Sequence, residues 1–370
     1  MMVDERIEAL LNKGVEAGVY PGAVLVTARG GMPPIFHAVG SRMLAPSERP
    51  MEKGTRFDLA SLTKPLATTL AVMKLVDMGK MGLDQPLEAL LPKAVPEDKK
   101  TITPRRLLSH SAGLVDWLPF YLQLDRVALE ERKSLIREAL LNLPLRYTPG
   151  TRTLYSDLGF MLLEWVIEAV AGVDLPQFMA QICFLPLTLK ETGLFGGDIP
   201  DPSVRGRFAA TEDCPWRKQI VQGRVHDENA YALGGYSGHA GLFGTAAEVY
   251  ILANLLIEHW RRERSDFLRP ETVRTFFQRQ KRVQGGTWAL GWDTPSLENS
   301  SAGKYFSPRS VGHLGFTGTS IWMDLEQDVV VILLTNRIHP TRKNEKIRAF
   351  RPLLHDSVME AFGLTQRFRG

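Results

Sequence analysis

Six consecutive apolar residues, Val329-Val330-Val331-Ile332-Leu333-Leu334, constrain this chain more than any other segment. A run so short, continuous and rich in β-branched side chains predicts a strand buried on both faces. It must lie inside a sheet with a layer of structure on either side. Residues 311–317 and 319–325 predict two more strands just before it, the second joined to it by the turn Glu326-Gln327-Asp328. Far upstream, residues 22–28 are again β-branched and end at Gly30-Gly31, and residues 35–39 can close a hairpin on them.

Helical spacing fills the rest. Residues 4–18 and 343–362 predict helices at the two ends. Leu66, Leu70 and Met73 recur at three- and four-residue steps, and Thr103-Pro104 reads as a cap followed by proline in a first helical turn, opening a short helix to about Ser109. Residues 127–142, 157–171 (closed by Gly172) and 245–262 predict further helices. Strands at both ends with helices between them predict an α+β fold: one antiparallel sheet, flanked by the terminal helices, carrying a large, mostly helical insertion. The expected division is a sheet domain of residues 1–60 and 263–370 and a helical domain of residues 61–262, with an active site at their junction.

Composition narrows the function. The 370 residues carry a net charge of only +4, and the basic stretches 261–264 and 337–351 hold a single Phe, Phe350, and no aromatic series for base stacking, so no nucleic-acid partner is expected. Cys183 and Cys214 have no accompanying CxxC or Cys/His spacing, which predicts two reduced thiols and no structural zinc. The spacing of His226, Asp227 and His239 fits no zinc pattern either, so no metal is expected. Acidic residues stand where a signal peptide would be basic, and no run of 18 apolar residues occurs. A cytoplasmic protein with no membrane partner is the expectation; the oligomeric state is left open.

Three constellations carry chemistry. In Ser61-Leu62-Thr63-Lys64-Pro65, proline is tolerated only in a first helical turn, so a helix must begin near Ser61. Residues three apart share a helix face, which lets Lys64 reach the Ser61 hydroxyl. A serine with a base in reach is an activated nucleophile, although Ser-x-x-Lys alone also arises by chance and Ser61 could be a simple cap. In Tyr155-Ser156-Asp157, the tyrosine precedes a helix capped by its neighbours, and a nearby lysine cation would favour its ionised form, making it a candidate base. In His313-Leu314-Gly315, within Val311-Gly-His-Leu-Gly-Phe-Thr-Gly318, glycine marks a close approach of backbone to backbone or ligand. The backbone N–H groups of Ser61 and Phe316 are the expected oxyanion donors.

The order and spacing of Ser-x-x-Lys, Tyr-Ser-Asp and His-x-Gly resemble the serine β-lactamase and penicillin-binding-protein superfamily, particularly its class C-like branch of D-alanine peptidases, esterases and cell-wall amidases. Phe57-Asp-Leu-Ala-Ser61-Leu-Thr-Lys64, Leu107-Leu-Ser-His-Ser-Ala-Gly113, Gly238-His-Ala-Gly-Leu-Phe243 and Leu334-Thr-Asn-Arg337 extend the resemblance over nearly the whole chain. It implies an acyl-enzyme on Ser61 and no cofactor, with Lys64, Tyr155 and His313 completing the catalytic set. Asp157, Gly315, Thr317, Trp117 and Tyr121 are the expected substrate-binding residues, the last two, with Phe120, as candidate pocket walls or else core aromatics. His110 is expected to hold its own turn, and the adjacent His226-Asp227 pair stands on a loop at the rim.

Two departures matter. The second motif ends in Asp157 rather than Asn, and an ionised carboxylate accepts hydrogen bonds but donates none. Paired with Lys64, it would hold that lysine charged and leave Tyr155 as base. The third motif has His313-Leu314 where Lys and a hydroxyl residue bind substrate carboxylates in β-lactam-hydrolysing members, which predicts weak recognition of such carboxylates. The leading expectation is a serine hydrolase of small esters, amides or peptides, with a peptidoglycan-derived fragment as one candidate. The alternatives are a β-lactamase or D-alanyl-D-alanine carboxypeptidase, and a non-catalytic binding or sensing protein.

Overall fold

The computed structural model describes residues 3–368 except 198, 200 and 282; residues 1–2 and 369–370 of the terminal segments lie outside the described residues. A six-stranded antiparallel sheet runs in the order Arg49–Pro50, Ile35–Met43, Gly22–Arg29, Val329–Thr335, Ser320–Asp324, Val311–Leu314. The chain's first and last strands are thus its central neighbours, with Val24 opposite Leu334 and Val26 opposite Ile332.

Alternation explains why Val329–Thr335 is buried throughout. Val330, Ile332 and Leu334 face one way and join Val24 and Val26 in the larger core. Val329, Val331 and Leu333 face the other way and join Ala23, Leu25 and Trp322 in a second core, closed by the terminal helices Val3–Glu16 and Ile347–Ala361. The helix Ala246–Arg261, capped by the Thr245 side chain, packs on the opposite face. The α+β architecture is as expected. Among the described residues no helix is long and apolar enough to cross a membrane, and Cys183 and Cys214 are both free thiols.

Several features differ from expectation. The predicted strand 311–317 stops at Leu314, because Gly315 turns back to donate its N–H to Thr319 O at 2.7 Å. The last helix starts four residues later than predicted, at Ile347, after a loop that Arg337 and Asn344 tie down. The segment expected to be mostly helical also holds small sheets: Phe57–Asp58, Leu242–Gly244 and Gly193–Leu194 form one, and Ala210–Cys214 with Gln219–Gln222 another. The strands of the first, two or three residues long, are too short to show a period. The first of these sheets matters because it delivers Asp58 and Leu59 to the site.

Candidate active site

Asp58 organises the turn in front of Ser61. One carboxylate oxygen accepts the Ala60 N–H at 2.8 Å and the other accepts the His226 N–H at 2.6 Å. Ala60 has φ 48°, a left-handed conformation that costs a residue with a Cβ about 1 kcal/mol. The Asp58 bond and the Thr63 hydroxyl, which donates to Ala60 O at 2.6 Å, hold it there. A 3-10 turn, Ala60–Leu62, follows and opens into a wide π-helical stretch, Lys64–Thr69, with Pro65 in its first turn. This local folding brings Lys64 Nζ to 3.0 Å from Ser61 Oγ.

Lys64 is fully buried. Its ammonium also lies 2.7 Å from Asp157 Oδ1 and donates to His239 O at 3.2 Å. Burial alone would push its pKa down, but the Asp157 carboxylate, joined by Tyr155 when that is ionised, leaves it raised above the ordinary lysine value. Lys64 is therefore a cation throughout the neutral range. Asp157 opens the helix Asp157–Ala171, which Ser156 caps by accepting the Gly159 N–H at 3.3 Å. The capping and the approach of Tyr155 coexist.

Lys64 and Ser61 both act on the ionisation of the Tyr155 hydroxyl, and the Tyr155 ring lies over the Lys64 ammonium, 4.8 Å from Nζ to the centroid. Burial raises its hydroxyl pKa above the ordinary phenol value, and the Lys64 charge only partly offsets this. The lysine cation favours the ionised form, as expected, but desolvation outweighs it, and Tyr155 rests as a phenol.

His313 also needs correction. Its ring is buried behind Tyr155, with centroids 5.9 Å apart, and Nδ1 lies 2.8 Å from Leu314 O. That carbonyl can only accept, so the proton is on Nδ1. Burial, reinforced by Lys64, lowers its pKa to about 3. A neutral ring outside the cleft lining replaces no lysine cation at the substrate; it backs Tyr155. His110 does more than brace its own turn. Its Nδ1 accepts the Ser156 N–H at 3.0 Å, tying the Ser-His-Ser loop to the Tyr155 loop.

The cleft in front of Ser61 has a volume of about 290 Å³ and is lined by Ala60, Ser61, Trp117, Tyr155, Asp157, His226, Asp227, Glu228, His239, Ala240, Phe316 and Arg342. Trp117, Asp157 and Phe316, all singled out in the sequence, are among these lining residues. Among the described residues the Phe316 main-chain N–H has no hydrogen-bond partner, while its carbonyl accepts from Arg337 at 2.9 Å. Gly315 and Thr317 do not line the cleft. A Cβ on Gly315 would come within 2.8 Å of Leu59 O, and the Thr317 hydroxyl donates to Asp58 O at 2.8 Å. Both clamp the strand end onto the nucleophile turn instead of touching a ligand. Tyr121 lies in a neighbouring groove.

The adjacent His226 and Asp227 do not pair with each other. His226 Nε2 lies 3.0 Å from Glu212, and His239 Nε2 lies 3.0 Å from Asp227. Asp227 raises the His239 pKa, and His239 helps lower that of Asp227. Asp157, Asp227 and His239 bring donor atoms within 4.8 Å of one another, but the first is already paired with Lys64 and the other two with each other. Arg342, Glu212 and Glu228 are invisible to a sequence reading: no local motif announces an arginine that meets its carboxylates more than 100 residues away.

The buried histidines predict acid sensitivity. His313 and His355 have pKa values lowered to about 3 by burial, and His110 and His339 are also lowered, whereas His239 is raised. The unfolded chain protonates the four lowered rings below about pH 6.5, while the folded chain resists until its own lower values. Their contribution is thus complete above that pH and declines as pH falls toward 3. Between about pH 6.5 and 5 the loss is about 2 kcal/mol for each of His313 and His355. Urea midpoints should fall steeply over that interval; unchanged midpoints would contradict it.

A family profile described as Beta-lactamase matches residues 7–354. An N-acetylmuramyl-L-alanine amidase of Bacillus subtilis (strain 168) is 33% identical over 366 residues, covering 90% of this chain and 81% of that protein. A protein of Escherichia coli (strain K12), provisionally named a D-alanyl-D-alanine carboxypeptidase, is 31% identical over 311 residues, covering 77% of this chain and 70% of that one. Among solved structures, EstCE1, described as a hydrolase with promiscuous acyltransferase activity, superposes with TM-score 0.73 at 24% identity, covering 95% of this chain and 98% of that chain. At these structural identities the likeness concerns the fold.

Proposed function

We propose, from the premise that this chain belongs to the Beta-lactamase family and is a serine hydrolase, that Ser61 is its nucleophile and that it cleaves an amide joining a muramyl-type acid to an amino acid. The observation that carries the catalytic assignment is Lys64 Nζ at 3.0 Å from Ser61 Oγ, with Asp157 anchoring Lys64 from behind and the Tyr155 ring over its ammonium.

The resting site holds a phenol and an ammonium, so the reactive form has lost one proton from the Lys64–Tyr155 pair. Lys64 faces the Asp157 carboxylate and Tyr155 does not pair with one, so the proton lost is assigned to Tyr155. Its oxyanion takes the Ser61 proton as Oγ bonds to the carbonyl carbon and the carbonyl electron pair moves onto oxygen. The Ser61 and Phe316 N–H groups receive that charge in this reading. As the C–N bond breaks, Tyr155 passes the proton to the departing amine, leaving an ester on Ser61. Water then attacks the ester: its proton goes to Tyr155 and on to Ser61 Oγ, releasing the acid.

The choice of a muramyl amide rests on the name of the Bacillus subtilis relative. The His313-Leu314 pair favours it over a β-lactam or D-alanyl-D-alanine substrate, since a neutral, buried ring and an apolar side chain offer a carboxylate no cation and no hydroxyl. A fluorophosphonate probe, with the adduct located by mass spectrometry, should label Ser61 and nothing in Ser61→Ala. Failure to label folded protein would favour the non-catalytic reading; labelled protein that hydrolyses simple esters but no muramyl amide would overturn the substrate assignment.

A further inference from the structure

A groove of about 670 Å³ continues the cleft, and Glu228 and Arg342 belong to the walls of both. Tyr121 and Trp216 line it together with Glu212, Asp213 and the segment 340–343. Trp216 is 36% exposed, yet its ring is held from several sides. Tyr121 meets it edge-on at 4.8 Å, Tyr231 at 6.0 Å, and the Arg217 guanidinium lies 5.4 Å from its centroid. Arg217 is itself fixed, donating to Val225 O at 2.8 Å and His226 O at 2.9 Å. The indole is therefore locked to the loop that lines the catalytic cleft.

Beside this ring the groove carries both acceptors and donors. Arg342 donates to both Glu212, at 2.5 and 2.8 Å, and Glu228, at 2.6 Å. The charges nearly cancel: Glu212, Asp213 and Glu228 against Arg342 and Lys343. An anionic stem peptide would need a net positive wall. A neutral polyol needs a rigid apolar surface for its C–H face with hydrogen-bonding groups of both kinds at its edge, which is what stands here.

We propose that this groove is the acyl-side subsite and takes a neutral pyranose ring laid against Trp216. The inference rests on the muramyl-amide reading above and deepens it. In a muramyl amide a lactyl arm separates the scissile carbonyl from the sugar, and the groove adjoins the cleft at Glu228 and Arg342, so a carbonyl at Ser61 can sit in the cleft with the ring in the adjoining space. Binding energy from that ring would be realised away from the reacting bond.

The test compares kcat/KM for N-acetylmuramyl-L-alanyl-D-isoglutamine with that for the same peptide carrying lactyl alone. The wild-type ratio should favour the sugar, and Trp216→Ala should lower the ratio at least tenfold, mainly through KM. Trp216→Phe, which keeps a ring, should restore most of it, separating loss of the platform from misfolding. An unchanged ratio in Trp216→Ala, or an equal loss on both substrates, overturns the subsite. If no muramyl amide is cleaved, N-acetylmuramic acid titrated into Ser61→Ala protein, read by tryptophan fluorescence, decides independently. Saturable quenching lost in the Trp216→Ala double variant keeps the subsite while the substrate reading fails; absence of quenching, or tighter binding of the sugar-free peptide, overturns the subsite.

Discussion

Tyr155→Phe lowers the acylation rate by about 10²- to 10⁴-fold, the range for removing a positioned general base. The substitution deletes one oxygen and keeps the ring, whose packing against His110 at 4.6 Å and Trp288 at 5.6 Å holds the loop. Stability should therefore change little while turnover collapses. Pre-steady-state acylation with an activated ester isolates the step. The pH profile gives a second reading. Since burial keeps Tyr155 a phenol at rest, wild-type acylation should rise with pH into the alkaline range as the base form becomes populated. Tyr155→Phe should lose that rise as well as the rate. A variant that acylates at full rate, or keeps the alkaline rise at reduced amplitude, would move the base assignment to Lys64.

The fold was legible because its main signals are local. The apolar run 329–334 announces a doubly buried strand, and the Ser156 and Thr245 side chains cap the helices at the predicted ends. The small sheets were not legible, since Phe57–Asp58 and Leu242–Gly244 are strands only because the chain brings them together. The cost of forming them is met by tertiary contacts that no short window contains.

In the site, helical spacing was enough to predict that Lys64 could reach Ser61, and the structure places them 3.0 Å apart. Spacing could not say which way His313 points: a strand residue faces one side or the other, and here the ring turns inward behind Tyr155. Nor could it show that His226 and Asp227, neighbours in sequence, would serve different partners. Tyr155 illustrates a different limit. Its neighbour Lys64 was foreseen, but whether its pKa rises or falls depends on how much water the fold removes, and that is a property of the assembled site.

Asp157→Asn should move the alkaline rise of acylation to lower pH and increase the rate near pH 7, despite removing a charged group from the cleft. Asp157 raises the pKa of Lys64, by charge and by hydrogen bonding, and that of Tyr155 by charge. Without the carboxylate, burial acts on Lys64 with less opposition and its pKa falls, and Tyr155 loses one of the influences that keep it protonated. Both changes favour the form of the pair that has lost a proton. If the rise begins about one pH unit earlier, about tenfold more base is available on its acid side. Stability should move the opposite way: a raised lysine pKa contributes stability below the unfolded value, so removing its partner costs about 3–5 kcal/mol if Lys64 stays charged, less if it gives up its proton. The two readings are coupled, and a large displacement of the pH profile should accompany a small loss of Tm. A rise that stays in place, or moves to higher pH, would mean that Asp157 does not set the protonation of the pair. The aspartate would then act through substrate contact or by capping its helix, and the proton inventory proposed for Ser61 would have to be redrawn.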